Sequence, residues 1–383
     1  MRIALFTEVF LPKWDGVVNT LSHLLEHLER RGHQSVLFAP EGGPDQYAGT
    51  PIVGFPGYPF PLYPELKMVV PPYLNVHEQL EAFQPDLIHL INPVLLGISG
   101  QRYAHKVGIP VIASFHTDLG GFAEKWGLGM FSEPIWGYLR WIHNQADLNV
   151  CPSHATAEVL VGQGFENVQV WPRGVDTVQY RPEHRDPAWR ERLGVDGPDA
   201  PLLLYVGRLS VEKRIKWIRP VLDLLPEARL AIVGDGPERL ELEEYFAGTP
   251  TTFPGFLRGR DLAQVYASAD LFVFPAANET LGNVVLEAMA SGLPVVAAGS
   301  GGPLDLVSDG ETGILFDPDD PQALVEATVR LLHDRALARR YGAAGRLHAE
   351  ARTWAATLDT LLDYYAALIQ EHAVPQIAWL NSA

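Results

Sequence analysis

Cysteine is almost missing from this chain. Cys151 is the only one in 383 residues, which excludes an internal disulfide and fits a reducing compartment. It follows an apolar run and reads as a buried structural thiol. Positive charge is also short: 29 Lys and Arg stand against 46 Asp and Glu, for a net charge of −17. Both halves of the chain are net acidic. That excludes a nucleic-acid-binding protein, and it excludes membrane attachment through a broad basic face. No apolar run approaches the ~20 residues that span a bilayer. The run Ile3–Thr7, with Arg2 before it and Glu8 after it, is too short for a signal peptide. A cytoplasmic protein is expected, with at most peripheral contact at the inner face of the plasma membrane. The GxGxxG spacing of dinucleotide folds is missing as well, which argues against a dehydrogenase.

Apolar content is not short: 47% of the residues are hydrophobic, enough for two or three cored domains at this length. Short apolar runs alternate with helical periodicity. Strands are expected at Ile3–Thr7, Ser35–Ala39, Asp86–Leu90, Val111–Phe115 and Leu148–Cys151. After a polar stretch from Glu183 to Ala200 the pattern restarts, with strands at Leu202–Gly207, Leu230–Gly234, Leu271–Phe274, Val295–Ala297 and Ile314–Phe316. Residues 40–72, rich in Pro, Gly and Tyr, show no periodicity and are expected to form a long loop. The halves echo one another: Ala146-Asp147-Leu148-Asn149-Val150-Cys151-Pro152 is similar to Ala269-Asp270-Leu271-Phe272-Val273-Phe274-Pro275. The expected fold is α/β, two Rossmann-like doubly wound domains facing across a cleft. Residues 1–178 form the first and residues 179–353 the second. A C-terminal helix, 354–383, with Leu358, Leu361, Leu362, Tyr365 and Leu368 on one face, crosses back onto the first.

Four stretches carry residues suited to chemistry. The first runs from Asn278 to Pro294, between two buried strands. Its helix starts near Leu281-Gly282-Asn283, where unpaired amides and the helix dipole favour phosphate and Gly282 permits close approach. Glu279 precedes that helix start, at the carboxyl end of a strand where open α/β sheets bind ligands. Glu287 follows within the helix. Phosphate between two carboxylates suggests a nucleotide sugar, with the acids taking hydroxyls; the plainer alternative is a solvated helix with ordinary surface acids. The second stretch is Gly207-Arg208-Leu209-Ser210-Val211-Glu212-Lys213-Arg214. A strand ends there and two cations, Arg208 and Lys213, stand five residues apart, suited to phosphate oxygens. Arg214 carries no such role. The third places His116 at a strand end, facing a ligand crevice or bonded within its own loop. No second His or Cys stands nearby at a metal-ligand spacing. The fourth, Asp317-Pro318-Asp319-Asp320, contains a DxD but precedes Pro321 and a helix, so capping explains it. Gly16 is a lone glycine at a helix start, where it can approach a phosphate.

Taken in order, these pieces resemble the retaining glycosyltransferases of the GT-B fold, in the large family 4. That family includes phosphatidylinositol mannosyltransferases, sulfoquinovosyl-diacylglycerol synthases, and sucrose and glycogen synthases. The match covers nearly the whole chain: Asp15-Gly16, His116-Thr117-Asp118, Arg173-Gly174-Val175-Asp176, Gly207-Arg208 with Lys213, and Gly234-Asp235-Gly236-Pro237. It closes with the two-glutamate motif Glu279 and Glu287, continued by Ala288-Met289-Ala290-Ser291-Gly292. The resemblance implies that Gly16 lies against the donor diphosphate and that His116 touches the transferred sugar. It implies that Arg208 and Lys213 hold the diphosphate, and that Glu279 with the stretch Thr280, Leu281, Gly282 and Asn283 holds sugar and phosphate. Glu287 would take the ribose. Asp118, Arg173 and Gly207 fall on the same donor-binding motifs. Two positions depart from the family: Arg214 stands where glycine is usual, and Leu281 where Phe or Tyr is common.

The implied reaction moves a hexose from a UDP- or GDP-sugar to an acceptor hydroxyl, with retention and without cofactor or metal. Trp171-Pro172-Arg173 looks most like enzymes that glycosylate diacylglycerol and related lipids, so a lipid or glycolipid acceptor is expected. Pro59–Pro64 and Phe122–Phe131 are the candidate bilayer contacts. A soluble sugar or polysaccharide acceptor, a nucleotide-sugar epimerase of the same fold and a non-catalytic nucleotide-sugar sensor are the alternatives.

Overall fold

The computed structural model describes residues 1–13, 15–60, 63–70, 73–116, 132–195, 197, 200–277, 279–280 and 282–373. Asp118, Leu281 and the stretch Phe122–Phe131 lie outside them. The chain divides into two compact units. Unit one takes Met1–Pro152, Thr156–Pro172 and Thr357–Ala383; unit two takes Ser153–Ala155 and Arg173–Ala356.

Unit one contains β1 (Arg2–Thr7), β2 (Gln34–Pro40), β3 (Gln46–Tyr47), β4 (Thr50–Phe55), β5 (Tyr58–Phe60), β6 (Tyr63–Met68), β7 (Leu87–Ile91), β8 (Val111–Ser114), β9 (Leu148–Cys151) and β10 (Val168–Val170). Its main sheet has the order β10-β9-β8-β7-β1-β2-β4-β3. All pairings are parallel except that of the two-residue β3 with β4. Ile3, Ala4 and Leu5 are wholly buried, because helices cover both faces of a parallel sheet and leave no polar alternation in its strands. Winding starts at β1 and reverses between β1 and β7, which makes that junction the switch point of the sheet. The helix Gly16–Arg30 crosses from β1 to β2 and buries Val18, Leu21, Leu24, Leu25 and Leu28. Cys151 is buried, as its apolar context suggested.

Residues 40–72 correct the expected long loop. They contain β4, which extends the main sheet with Leu37 opposite Ile52 and Pro40 opposite Phe55, and the separate antiparallel hairpin of β5 and β6. Pro51 and Gly54 erase the apolar period that marks a strand. They are tolerated because the far side of β4 carries only the short β3, so few ladder bonds are lost.

Unit two contains β11 (Leu202–Val206), β12 (Arg229–Val233), β13 (Thr251–Gly255), β14 (Leu271–Phe274), β15 (Val295–Ala298) and β16 (Gly313–Phe316). Their order is β13-β12-β11-β14-β15-β16, parallel throughout. Counted within the unit this is 3-2-1-4-5-6, the dinucleotide-fold order, with its switch point between β11 and β14. The edge strands β10 and β13 went unread in the sequence because neither has a fully buried residue, so neither carries an apolar run.

The helix Trp354–Ala373 buries Leu358, Leu361, Leu362, Tyr365 and Leu368, the face its periodicity indicated. From Thr357 onward it belongs to unit one. The indole of Trp171 donates to its Thr357 carbonyl at 2.9 Å, and the Tyr364 hydroxyl donates to the Val170 carbonyl at 3.4 Å. Among the described residues no helix is long and apolar enough to cross a membrane.

Candidate functional site

In unit two the singled-out residues gather at the switch point. The chain leaves β11 through Gly207-Arg208-Leu209-Ser210 and makes a short 3-10 turn, Val211–Lys213. That turn carries the Lys213 Nζ to 2.8 Å from Oε2 of Glu279, on the loop after β14. The two side chains are 15% and 23% exposed, so the pair is sheltered yet open to a ligand. Arg208 is exposed, and among the described residues its guanidinium makes no hydrogen bond or ion pair. Its carbonyl is held by the Tyr205 hydroxyl at 3.0 Å.

The backbone beneath Arg208 is fixed by the Gly234-Asp235-Gly236-Pro237 turn. Gly207 N–H donates to the Val233 carbonyl, and Leu209 N–H to the Asp235 carbonyl, each at 3.0 Å. A Cβ at Gly234 would lie 1.9 Å from the Gly207 carbonyl oxygen, and one at Gly236 would lie 2.3 Å from that of Leu209. Only glycine lets these two loops touch. The backbone of Glu279 is clamped similarly. Gly302 N–H donates to its carbonyl at 2.7 Å. Gly301 has φ +63°, and a Cβ there would stand 2.4 Å from the same oxygen. The Gly299–Gly302 turn was not singled out in the sequence, although paired glycines after the strand-like run Val295–Ala298 were a legible signal.

The helix Asn283–Ala290 begins immediately after this loop. Its N-cap is Gly282, in the left-handed region at φ 85°. The first amides of the helix, Asn283 and Val284, precede its internal hydrogen bonding and point out of its N-terminus. The side-chain oxygen of Asn283 is buried without a partner among the described residues. The Thr280 carbonyl accepts from Ser153 Oγ at 2.7 Å. One turn into the helix stands Glu287, half-buried. Tyr266, wholly buried, donates its hydroxyl to Glu287 Oε2 at 2.9 Å, and the Tyr180 phenol also acts on this carboxyl. The tyrosine rings meet edge-on at 5.6 Å. Burial pushes the Glu287 carboxyl up to about 7, against the lowering effect of both phenols. Arg346 ties this corner together by donating to the carbonyls of Thr177, Tyr180 and Ala290. No sequence pattern marked either tyrosine: they come from distant segments and meet only in the fold.

Arg214 is in the left-handed region at φ 52°, which explains why glycine is the usual residue there. Its guanidinium donates to the Pro318 carbonyl and lies 4.8 Å from the Trp217 ring centroid. Arg173 is buried. Asp320 caps the helix Pro321–His333 by accepting from Gln322 N–H at 2.8 Å, so the DxD letters serve a helix start. Among the described residues no cluster of His, Cys, Asp and Glu is arranged to hold a metal.

In unit one, Gly16 opens its helix, but the Asp15 carboxylate already takes the amides of Val17 and Val18 at 3.0 and 2.9 Å. What faces outward is Gly16 itself. His116 follows β8. Its backbone N–H donates to Asn92 Oδ1 at 3.2 Å, its Nε2 lies 2.7 Å from Ser114 Oγ, and its ring sits edge-on to Trp171 at 6.3 Å. Glu8 was not singled out. It is buried at the end of β1, where its Oε1 accepts from the amides of Leu95 and Leu96, both at 2.6 Å. It thereby ties β1 to the helix start after β7. Burial pushes its carboxyl to about 7.

Comparison with known proteins shows the family. Residues 14–179 match the family model described as Glycosyltransferase Family 4, and residues 200–334 match Glycosyl transferases group 1. The chain is 39% identical to the GDP-mannose-dependent alpha-mannosyltransferase of Mycolicibacterium smegmatis, over 96% of this chain and 98% of that protein. It is 35% identical to sulfoquinovosyl transferase SQD2 of Arabidopsis thaliana, over 99% of this chain and 77% of that protein. The alpha-monoglucosyldiacylglycerol synthase of Streptococcus pneumoniae is 28% identical, over 86% and 78%. Among solved structures, sucrose-phosphate synthase from Thermosynechococcus elongatus has a TM-score of 0.77 at 24% identity, covering 97% of this chain and 99% of that one. Anabaena Alr3699/HepE in complex with UDP has a TM-score of 0.79 at 21% identity, covering 96% and 100%. The chain belongs to glycosyltransferase family 4 and is a glycosyltransferase of the GT-B fold.

Proposed function

We propose that the protein transfers a hexose, with retention, from a UDP- or GDP-sugar to the hydroxyl of a lipid or glycolipid acceptor. The observation that carries this reading is the Lys213–Glu279 pair at the β11/β14 switch point, beside the open amides of the helix Asn283–Ala290. As the anomeric C–O bond breaks, negative charge grows on the diphosphate and positive charge on the sugar. Lys213, Arg208 and the helix start are cationic or dipolar groups held in advance for the first charge. Glu279 holds Lys213 in place until the donor arrives, and offers an acceptor for sugar hydroxyls. In the front-face reaction the acceptor oxygen bonds the anomeric carbon and its proton passes to the departing phosphate oxygen. No separate base is required. No metal is required either, because these cations stand against the phosphates. Glu287, with Tyr266 and Tyr180 behind it, takes the ribose hydroxyls.

The names of three relatives support the substrate classes: GDP-mannose in one, a sulfoquinovosyl group in another, glucosyldiacylglycerol in the third. Exposed apolar side chains that flank this stretch in sequence, Tyr58 at 69%, Val70 at 71% and Leu74 at 80%, support a bilayer contact near Pro59–Pro64. The test is turnover of a panel of nucleoside-diphosphate sugars with diacylglycerol or phosphatidylinositol vesicles against soluble sugars, with the product anomer read by NMR. Donor at ~100 times its dissociation constant stabilises the fold by about 2.7 kcal/mol. Transfer to soluble sugars alone removes the lipid acceptor. Donor turnover without acceptor points to the epimerase, and binding without turnover to the sensor.

A further inference from the structure

A chain of hydrogen bonds runs through the core of unit one. Tyr365, wholly buried on the helix Trp354–Ala373, places its hydroxyl 2.6 Å from Nδ1 of His89. His89, wholly buried at the centre of β7, has its Nε2 3.0 Å from Ser114 Oγ. Ser114, the last residue of β8, has the same oxygen 2.7 Å from Nε2 of His116. Three hydrogen bonds thus join the C-terminal helix to a histidine just past the end of β8.

The direction of these bonds follows from the first member. The Tyr365 hydroxyl has one hydrogen-bond partner among the described residues, His89. Burial pushes its ionisation well above the ordinary range, so it keeps its proton. A buried O–H without an acceptor is costly, so it donates to His89 Nδ1, which must be the unprotonated nitrogen. His89 then carries its proton on Nε2 and donates to Ser114 Oγ. Ser114 has a single hydrogen, and it goes to Nε2 of His116. His116 therefore accepts at Nε2 and carries its own proton on Nδ1. In the reversed chain His89 donates from Nδ1 to the phenol oxygen and strands the phenol hydrogen in the core. A doubly protonated His89 strands it equally.

We propose that this relay fixes His116 as the Nδ1–H tautomer, so that it meets the nucleotide sugar as a hydrogen-bond donor to oxygen and not as a general base. Tyr365, His89 and Ser114 are then positioning residues. The role toward substrate rests on the glycosyl-transfer reading above; the tautomer does not. A donor at this position suits an oxygen of the transferred sugar or its departing bond, and it agrees with a mechanism in which the acceptor proton goes to phosphate.

The experiment is a long-range 15N–1H correlation spectrum of the full chain labelled at histidine nitrogen, recorded without substrate, with His116 assigned by its disappearance in His116→Gln. The expected signature is a protonated Nδ1 and an unprotonated Nε2 at His116. A protonated Nε2 in the wild type overturns the proposal. Tyr365→Phe keeps the ring and removes the constraint on direction, and Ser114→Ala cuts the last bond. Each is expected to give a mixture of His116 tautomers and a kcat lowered by about tenfold, with donor KM little changed. A single Nδ1–H tautomer surviving in both variants also overturns it. Because the tautomer is read with no donor or acceptor present, a wrong reaction assignment leaves it standing, and a wrong tautomer leaves glycosyl transfer standing.

Discussion

Glu287 gives the sharpest division between binding and chemistry. In the proposed site it holds the ribose, away from the anomeric carbon, so it contributes equally to ground state and transition state. Its loss is expected to raise donor KM and leave kcat nearly unchanged. A hydrogen bond to a charged group contributes roughly 1.5–3 kcal/mol, which is about 10- to 150-fold in KM. The structure adds a pH signature. Burial holds this carboxyl at about 7, and the ionised form is the better acceptor for ribose hydroxyls. Donor KM in the wild type is therefore expected to rise about tenfold as pH falls from 8 to 6, following the ionised fraction. The donor does not contribute to this slope, because a nucleoside-diphosphate sugar has no phosphate monoester to titrate in that range. Glu287→Gln retains an acceptor for the Tyr266 hydroxyl but has no charge to lose. It is expected to show the raised KM at every pH, with the slope gone. The assay is steady-state kinetics over pH 6–8 at saturating acceptor. A kcat that collapses in Glu287→Gln with KM unchanged would refute the placement of ribose here. So would a wild-type KM that is flat across the range.

Three further outcomes are expected. Lys213→Ala and Arg208→Ala should each lower kcat by about 10²–10³, as for other preorganised charge stabilisers, and added Mg²⁺ should not restore it; effects confined to KM would move the diphosphate elsewhere. Glu8 titrates at about 7 in the folded chain against 4.5 ordinarily, so the folded state holds its proton more tightly and the stability this confers is present below pH 4.5 and lost as pH rises through 7. Glu8→Gln should flatten that decline in urea unfolding by about 3 kcal/mol, and an unchanged pH slope would show the carboxyl to be ordinary. At Arg214, with φ 52°, glycine should leave the protein about 1 kcal/mol more stable than alanine does, since both remove the guanidinium contacts and only alanine keeps the left-handed penalty; equal urea midpoints would contradict it.

Much of this protein was set by local sequence. The buried parallel strands were legible because helices on both faces leave unbroken apolar runs such as Ile3–Phe6 and Leu271–Phe274. Helix stops, the Asp320 cap and the buried face of the C-terminal helix followed from period and capping chemistry, which act over a few residues. The placement of Arg208, Lys213 and Glu279 after strand ends, and of Glu287 in the helix that follows, was legible too, since apolar runs and helix starts mark those positions. Tertiary structure decided the rest. β4 lacks a strand's pattern and exists because β2 offers it an open edge. The Lys213–Glu279 ion pair needs β11 and β14 side by side, although 66 residues separate them in the chain. The raised carboxyls of Glu8 and Glu287 come from burial, which no local pattern records. The chain from Tyr365 through His89 and Ser114 to His116 depends on the last helix returning to the first unit, and hydrogen bonds between residues so distant in sequence leave no periodic trace, because each is fixed by packing and not by spacing.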